Sequence, residues 1–263
     1  MYDFSYVKPA NLADAVKAVG AAEAKALAGG MTLIPVLKQR LNKPSSVVDL
    51  SGLGLTGISI SDTAVVIGAM TTHGAVAASK DLQRAIPALA NLASLIGDKE
   101  VRHRGTIGGS LANNDPAADY PAAVLALGAT ITTDRRTIAA DAFFQGMFAT
   151  ALQPGELITS VSFPIPARAA YQKFKNPASR YAIVGVFVAN GPMGVRVAVT
   201  GAGQGGVFRH KAFEAALGKN WSAAALNGID TPADGLNGDI HASPEYRAHL
   251  IGVMAKRAVA ATV

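Results

Sequence analysis

Cysteine is missing altogether from the 263 residues of this chain. That excludes disulfides, a thiol nucleophile, cysteine-ligated zinc and an iron–sulfur cluster within this polypeptide. Any redox chemistry must use an organic cofactor or a metal on another chain. Charged residues are only 16% of the total and there is one Trp. No stretch reaches the roughly 18 uninterrupted apolar residues of a membrane span. The opening MYDFSYVKPA has neither the basic start nor the apolar core of a signal peptide, so the expected location is the cytoplasm. His73, His103, His210, His241 and His249 form no HExxH or other paired spacing, and no metal site is expected. A GxSxG elbow is also missing, which removes support for a serine hydrolase.

Half of the residues are hydrophobic, enough for a real core and, at this length, for two domains or one domain with subdivisions. The net charge of +6 and pI near 9.6 raise nucleic acid as a partner. The basic residues are dispersed, however; the densest group, Lys99–Arg104 (KEVRHR), contains a glutamate, and no RNP-like or zinc-finger motif appears. Nucleic-acid binding is not expected. Along the chain, FSYVKP reads as a strand, and Asn11 as the cap of a helix with apolar Leu12, Ala15, Val16 and Val19. KALA, SVVDL, GISIS, AVVIGA, ATITT and RTIAA read as strands, and LIPVLKQRL, Thr72–Ala78, Pro87–Leu95 and YPAAVLALG as helices. After ELITSVSFPIP, Pro164 and Pro166 mark a boundary. Strands follow at Tyr171–Phe174, Ile183–Ala189 and Val195–Thr200, then helices near His210–Leu217 and Pro244–Ala261. This irregular alternation predicts an α+β architecture rather than a doubly wound sheet.

Two glycine pairs carry the chemical signal. In AGGMTL, Ala28–Leu33, glycines between strand and helix let the backbone approach a bound group, Thr32 adds a hydroxyl, and the helix start offers N–H groups to an anion. An ordinary strand-to-helix turn uses the same residues. It is not a P-loop, because no GKS or GKT follows. The second stretch is TIGGSLANNDPAADYP, Thr106–Pro121. Its Thr106, Gly108, Gly109 and Ser110 suit phosphate or polyol oxygens, and Asp119 suits sugar-like hydroxyls. The plainer alternative is a long loop stiffened by Pro116, with Asp119 capping the next helix. Two such loops favour a dinucleotide, since a pyrophosphate has two anionic groups and a long body. GAGQGG, Gly201–Gly206, matches GxGxxG, but Asp230 downstream reads as loop and no parallel strand follows, so NAD binding is not expected. Lys173–Arg180, KFKNPASR, is open between a basic loop near the cofactor and a solvated turn.

In order, AGGMTLIP, IGAMTTH, VRHRGTIGGSLANNDPAADYPA, PGELI and YQKFKNPASRYAIVGV resemble the FAD-binding medium subunit of the molybdenum hydroxylases. That family includes carbon monoxide dehydrogenase, xanthine dehydrogenase and bacterial aldehyde or N-heterocycle dehydrogenases. The likeness extends to SPEYRAHLIGVMAKRAV and so spans essentially the whole chain. It implies a PCMH-type FAD-binding domain over 1–165, in α/β subdomains of about 1–54 and 55–165, and a smaller C-terminal α+β domain over 166–263. It also implies FAD held at its pyrophosphate by Ala28, Gly29, Gly30, Met31, Thr32 and Leu33, and by Thr106, Ile107, Gly108, Gly109 and Ser110. Asp119 would contact the FAD, Lys173 would approach the flavin, Tyr181 would sit near the isoalloxazine, and Thr71 and Thr72 would line the cofactor. Attachment is expected to be non-covalent, because the chain has no Cys and neither loop contains His.

The expected function is that of an electron-transfer subunit with no catalytic residue or metal ligand of its own. The resemblance places a molybdenum cofactor on a large partner subunit and [2Fe–2S] clusters on a small one, in a dimer of heterotrimers. This chain's FAD would deliver electrons to an external acceptor. Two rivals are a free-standing FAD-dependent oxidoreductase and a non-catalytic basic binding module.

Overall fold

Two βαβ crossovers open the chain. In the computed structural model, which describes residues 1–262, β1 (Ser5–Val7), α1 (Leu12–Val19), β2 (Ala24–Leu27), α2 (Leu33–Lys38) and β3 (Ser46–Asp49) form a parallel sheet of order β1-β3-β2. Val263, the last residue of the expected C-terminal domain, lies outside the described residues. α1 begins as its sequence predicts, with the Asn11 side chain accepting from the Asp14 amide. Its Ala15 is buried with Val48 and Leu50 in a small core of its own.

Strands β4 (Ile58–Ile60) and β5 (Ala64–Gly68) start an antiparallel sheet, interrupted by a helical run. That run comprises α3 (His73–Ala78), α4 (Lys80–Ala85), α5 (Pro87–Ser94), α6 (Lys99–Arg104), α7 (Ile107–Asn113) and α8 (Tyr120–Leu127). Next come β6 (Thr130–Thr133), β7 (Thr137–Ala139), α9 (Ala140–Phe143) and the hairpin β8 (Phe144–Gly146) to β9 (Ala149–Thr150). β10 (Ile158–Pro164) then inserts centrally to give the order β4-β5-β10-β6-β7.

The remaining strands, β11 (Arg168–Lys175), β12 (Ala182–Gly191), β13 (Gly194–Thr200) and β14 (Phe208–Arg209), are antiparallel and sequential. α10 (Lys211–Lys219) and α11 (Pro244–Ala260) cover one face. β12 is apolar almost throughout because both its faces are buried. Val184, Val186 and Val188 pack with Phe213, Ile251 and Met254, while Phe187 and Ala189 join the core around α8. All eight residues of α8 are buried, so it is apolar on every side.

Two segments depart from the sequence reading. Ile107–Asn113, expected as loop, is helical: the Thr106 side chain caps it by accepting from the Gly109 amide. Gly108 and Gly109 each cost the helix about 1 kcal/mol relative to Ala, and packing offsets this. A Cβ at Gly108 would lie 2.6 Å from Ala69 Cβ. KEVRHR is also a helix, α6, capped by Asp98 accepting from the Val101 amide. The exclusion of NAD binding at GAGQGG has a topological reason. The segment joins antiparallel β13 and β14, with Gly201 and Gly206 at φ +83° and +94°, whereas a dinucleotide fold needs a parallel crossover there.

Candidate functional site

A cavity of about 720 Å³ opens between AGGMTL, the turn after β5, α7 and the β11–β12 turn. Ala28, Gly29, Gly30, Met31, Thr32 and Leu33 all line it. Gly30 has φ +77°, a left-handed conformation that suits glycine. Gly29 packs so closely on the chain at Arg104–Gly105 that a Cβ would run into the Arg104 carbonyl oxygen. The Gly30 and Thr32 carbonyls accept the first bonds of α2, from Ile34 and Val36. The amides of Gly29, Gly30, Met31, Thr32 and Leu33 donate to no acceptor among the described residues. Five successive free N–H groups at a cavity wall form an anion-seeking surface.

Thr106, Gly108, Gly109 and Ser110 form the facing wall, but their amides are largely committed. Ile107 donates to Thr71 O at 3.1 Å, Gly108 to Ala69 O at 2.8 Å and Ser110 to Thr106 O at 3.0 Å. Gly109 donates to Thr106 Oγ1 at 3.2 Å. The glycines here serve close approach: a Cβ at Gly109 would stand 2.9 Å from Thr106 Oγ1 and 3.4 Å from Ala28 Cβ, on the opposite wall. Ile107 is fully buried in the core and does not reach the cavity.

Asp119 borders the cavity but is buried, and the sequence could not show why. Its Oδ1 accepts from Tyr171 Oη at 2.5 Å and its Oδ2 from Lys173 Nζ at 2.8 Å. Burial pushes its pKa up, while the Lys173 ammonium and the Tyr171 hydroxyl oppose that rise. Although Asp119 stands at the start of α8, its side chain makes no cap bond. Lys173 is buried behind it, with Nζ also donating to Leu95 O at 3.2 Å, and does not line the cavity. Thr71 and Thr72 are likewise off the cavity. Thr71 Oγ1 exchanges hydrogen bonds with the Gly57 backbone, and Thr72 caps α3 by accepting from the Ala75 amide. Both are committed to holding the turn after β5.

Ser179, Arg180 and Tyr181 reach the cavity from the β11–β12 turn. Asn176 closes that turn: its amide donates to Tyr181 O, its carbonyl accepts from the Arg180 amide, and its side chain accepts from the Ala178 and Ser179 amides. Tyr181 is half-exposed at the mouth.

Two further lining residues escaped the sequence reading. Glu156 accepts from Arg136, Thr133 and the Gln153 amide, and the Arg136 hydrogen bond chiefly lowers its pKa to about 2. His73 is buried, and burial together with the Arg102 charge lowers its pKa to about 4, leaving a neutral imidazole at pH 7. A lone histidine has no spacing signature. Among the described residues no cluster of His, Asp and Glu could hold a metal ion.

A cleft of this size lies in the range of cofactor sites. Its free amides and glycine-thinned walls suit a long anionic ligand, and comparison with known proteins agrees. Residues 2–166 match the model of the FAD binding domain in molybdopterin dehydrogenase, and residues 169–262 that of the CO dehydrogenase flavoprotein C-terminal domain. The chain is 36% identical to the carbon monoxide dehydrogenase medium chain of Afipia carboxidovorans, across 97% of this chain and 95% of that one. It is 34% identical to the nicotine 6-hydroxylase medium subunit of Paenarthrobacter nicotinovorans, across 97% and 95%. A solved carbon monoxide dehydrogenase from Hydrogenophaga pseudoflava superimposes with a TM-score of 0.88 at 34% identity, covering 98% of this chain and 96% of its counterpart. With both family models matched in succession and relatives aligned nearly end to end, this chain belongs to the FAD-binding subunit family of the molybdopterin dehydrogenases.

Proposed function

We propose that this chain is the FAD-carrying medium subunit of a molybdenum-containing hydroxylase complex. It would accept electrons from [2Fe–2S] clusters on a small partner subunit, after substrate oxidation at a molybdenum cofactor on a large one, and pass them to an external acceptor. The observation that carries this reading is the run of free amides at Gly29–Leu33, beside a cavity of cofactor size in a chain of this family. FAD, when bound, supplies the redox chemistry. The chain's own residues bind and orient. The Gly29–Leu33 amides take the pyrophosphate, the Gly108–Gly109 surface keeps the facing wall thin, and Ser110 offers a hydroxyl. Tyr181 flanks the ring at the mouth. Asp119, held by Tyr171 and Lys173, forms a fixed floor, which makes Lys173 a positioning residue. The domain junction falls between Pro164 and Arg168, where β10 gives way to β11. A cytoplasmic dimer of heterotrimers is the assembly we favour. No helix among the described residues is long and apolar enough to cross a membrane.

The test follows flavin absorbance. Acid denaturation should release free FAD into the supernatant, because the chain has no cysteine and neither glycine loop has a histidine for a tether. Organic substrate added without oxygen should bleach the flavin only in the reconstituted complex. Bleaching of the isolated chain would instead establish a free-standing flavoenzyme, and a colourless chain that takes up no FAD would refute both.

A further inference from the structure

His73 stands where cavity wall and core meet. It lines the cavity yet is only 5% exposed. Its backbone is pinned: the His73 amide donates to Gly105 O at 2.9 Å, and Thr72 caps the helix that it begins. The two ring nitrogens differ. Nδ1 is sealed from solvent and has no hydrogen-bond partner among the described residues. Nε2 borders Gly105, itself a lining residue, and a Cβ there would lie 2.5 Å from Nε2. Glycine at 105 leaves room for this edge of the ring, and Nε2, unlike Nδ1, is not sealed from solvent.

The position of the proton follows. A proton on Nδ1 would be a buried donor without an acceptor, which costs about 1–3 kcal/mol. Leaving Nδ1 unprotonated avoids that cost and puts the single proton of the neutral imidazole on Nε2.

We propose that His73 is a cofactor-binding residue, a neutral imidazole whose Nε2–H donates a hydrogen bond to FAD from the cavity wall. This rests on FAD being the ligand, as proposed above. The neutral ring adds a donor without adding charge to a cavity that Lys25 and Arg180 already line.

The experiment measures FAD affinity of apoprotein by fluorescence quenching for the parent, His73→Phe, His73→Gln and His73→Asn, with thermal midpoints taken alongside. Gln can set an N–H near the position of Nε2, whereas Asn reaches only as far as Nδ1. The expected result is a roughly 10-fold weaker Kd for Phe and Asn, the scale of one hydrogen bond to a charged group, with most of the affinity restored by Gln. Equal Kd in parent and His73→Phe overturns the proposal, as does equal weakening by Gln and Asn. Should the variants misfold, imidazole ¹⁵N shifts of the parent holoprotein decide: a neutral Nε2–H tautomer is expected, and an Nδ1–H or cationic ring would overturn it. A parent that binds no FAD refutes the proposed function itself, which keeps the two failures distinct.

Discussion

Substituting Lys173 by Met removes one half of a pair in which both side chains are buried, 2% exposed for Lys173 and 5% for Asp119. The remaining carboxylate keeps a single donor, Tyr171 Oη. Breaking a buried ion pair from one side costs about 3–5 kcal/mol. At about 2–4 °C per kcal/mol for a chain of this size, the melting point should fall by roughly 10 °C. The effect should also depend on pH. Asp119 already titrates above its ordinary value because it is buried, and without the opposing ammonium it should rise further. A raised carboxyl pKa means that the folded state holds the proton more tightly than the unfolded one. Stability is then lost as pH climbs from the unfolded value near 3.9 to the folded one. Lys173→Met should therefore be nearest to the parent at pH 5 and furthest at pH 8. Adding Asp119→Asn should recover much of the loss, because a neutral amide can still accept from Tyr171. Urea unfolding of the four proteins in the cycle measures the coupling. A loss below about 1 kcal/mol at pH 8, or no recovery in the double variant, would refute the reasoning from burial.

Other outcomes are equally direct. Gly109→Val should lose the Thr106 cap and press on Ala28, weakening FAD binding more than 10-fold, while Gly205→Ala, which meets only open space, should leave FAD content unchanged; both are read from the visible spectrum. Glu156, whose pKa is lowered to about 2, should add stability above the unfolded value near 4.3, and that contribution should vanish as pH falls toward 2. Glu156→Gln should then flatten the acid limb of the stability curve in calorimetry. Phe148 is exposed at φ +54°, where a bulky side chain is strained, so Phe148→Gly should stabilise the hairpin by about 0.5–1 kcal/mol and raise the melting point.

What could be read from the sequence was local. Asn11 caps its helix as a β-region Asn before apolar residues at helical spacing should, and the unbroken AIVGVFVA run marks a strand covered on both faces. The free amides at AGGMTL also follow from glycines between strand and helix. Other features depend on distant neighbours. TIGG needs glycine because Ala69 and Ala28 lie too close for larger residues, and their positions cannot be read from residues 106–109 alone. Asp119 and Lys173 are 54 positions apart, so spacing gave no hint that each is the other's partner. Family resemblance pointed toward the cavity for Thr71, Thr72, Ile107 and Lys173, whereas their contacts hold its framework. His73 ends the IGAMTTH stretch without a role read from it; only Gly105 beside it and the orphaned Nδ1 distinguish it from an ordinary core histidine.

The segment from Asn114 to Asp119 limits how far the protein can be treated as two interchangeable modules. Asn114 binds the β8–β9 hairpin through the carbonyls of Gly146 and Ala149. The Pro116 and Ala118 carbonyls accept from Thr200 Oγ1, the Gly201 amide donates to Pro116 O, and Asp119 is held by two side chains of β11. A cut at the proline-rich junction would strip the partners supplied by β11 and the end of β13 from the cavity floor and leave α8 with one apolar flank in water. The N-terminal fragment alone should therefore aggregate rather than persist as a miniature flavoprotein. For the same reason a chimera that borrows the C-terminal half of a relative inherits a constraint: tyrosine, lysine and threonine must arrive at the positions of Tyr171, Lys173 and Thr200, and glycine at Gly185, whose missing side chain leaves room for the Tyr171 hydroxyl. Domain shuffling in this lineage is in effect shuffling of a shared seam.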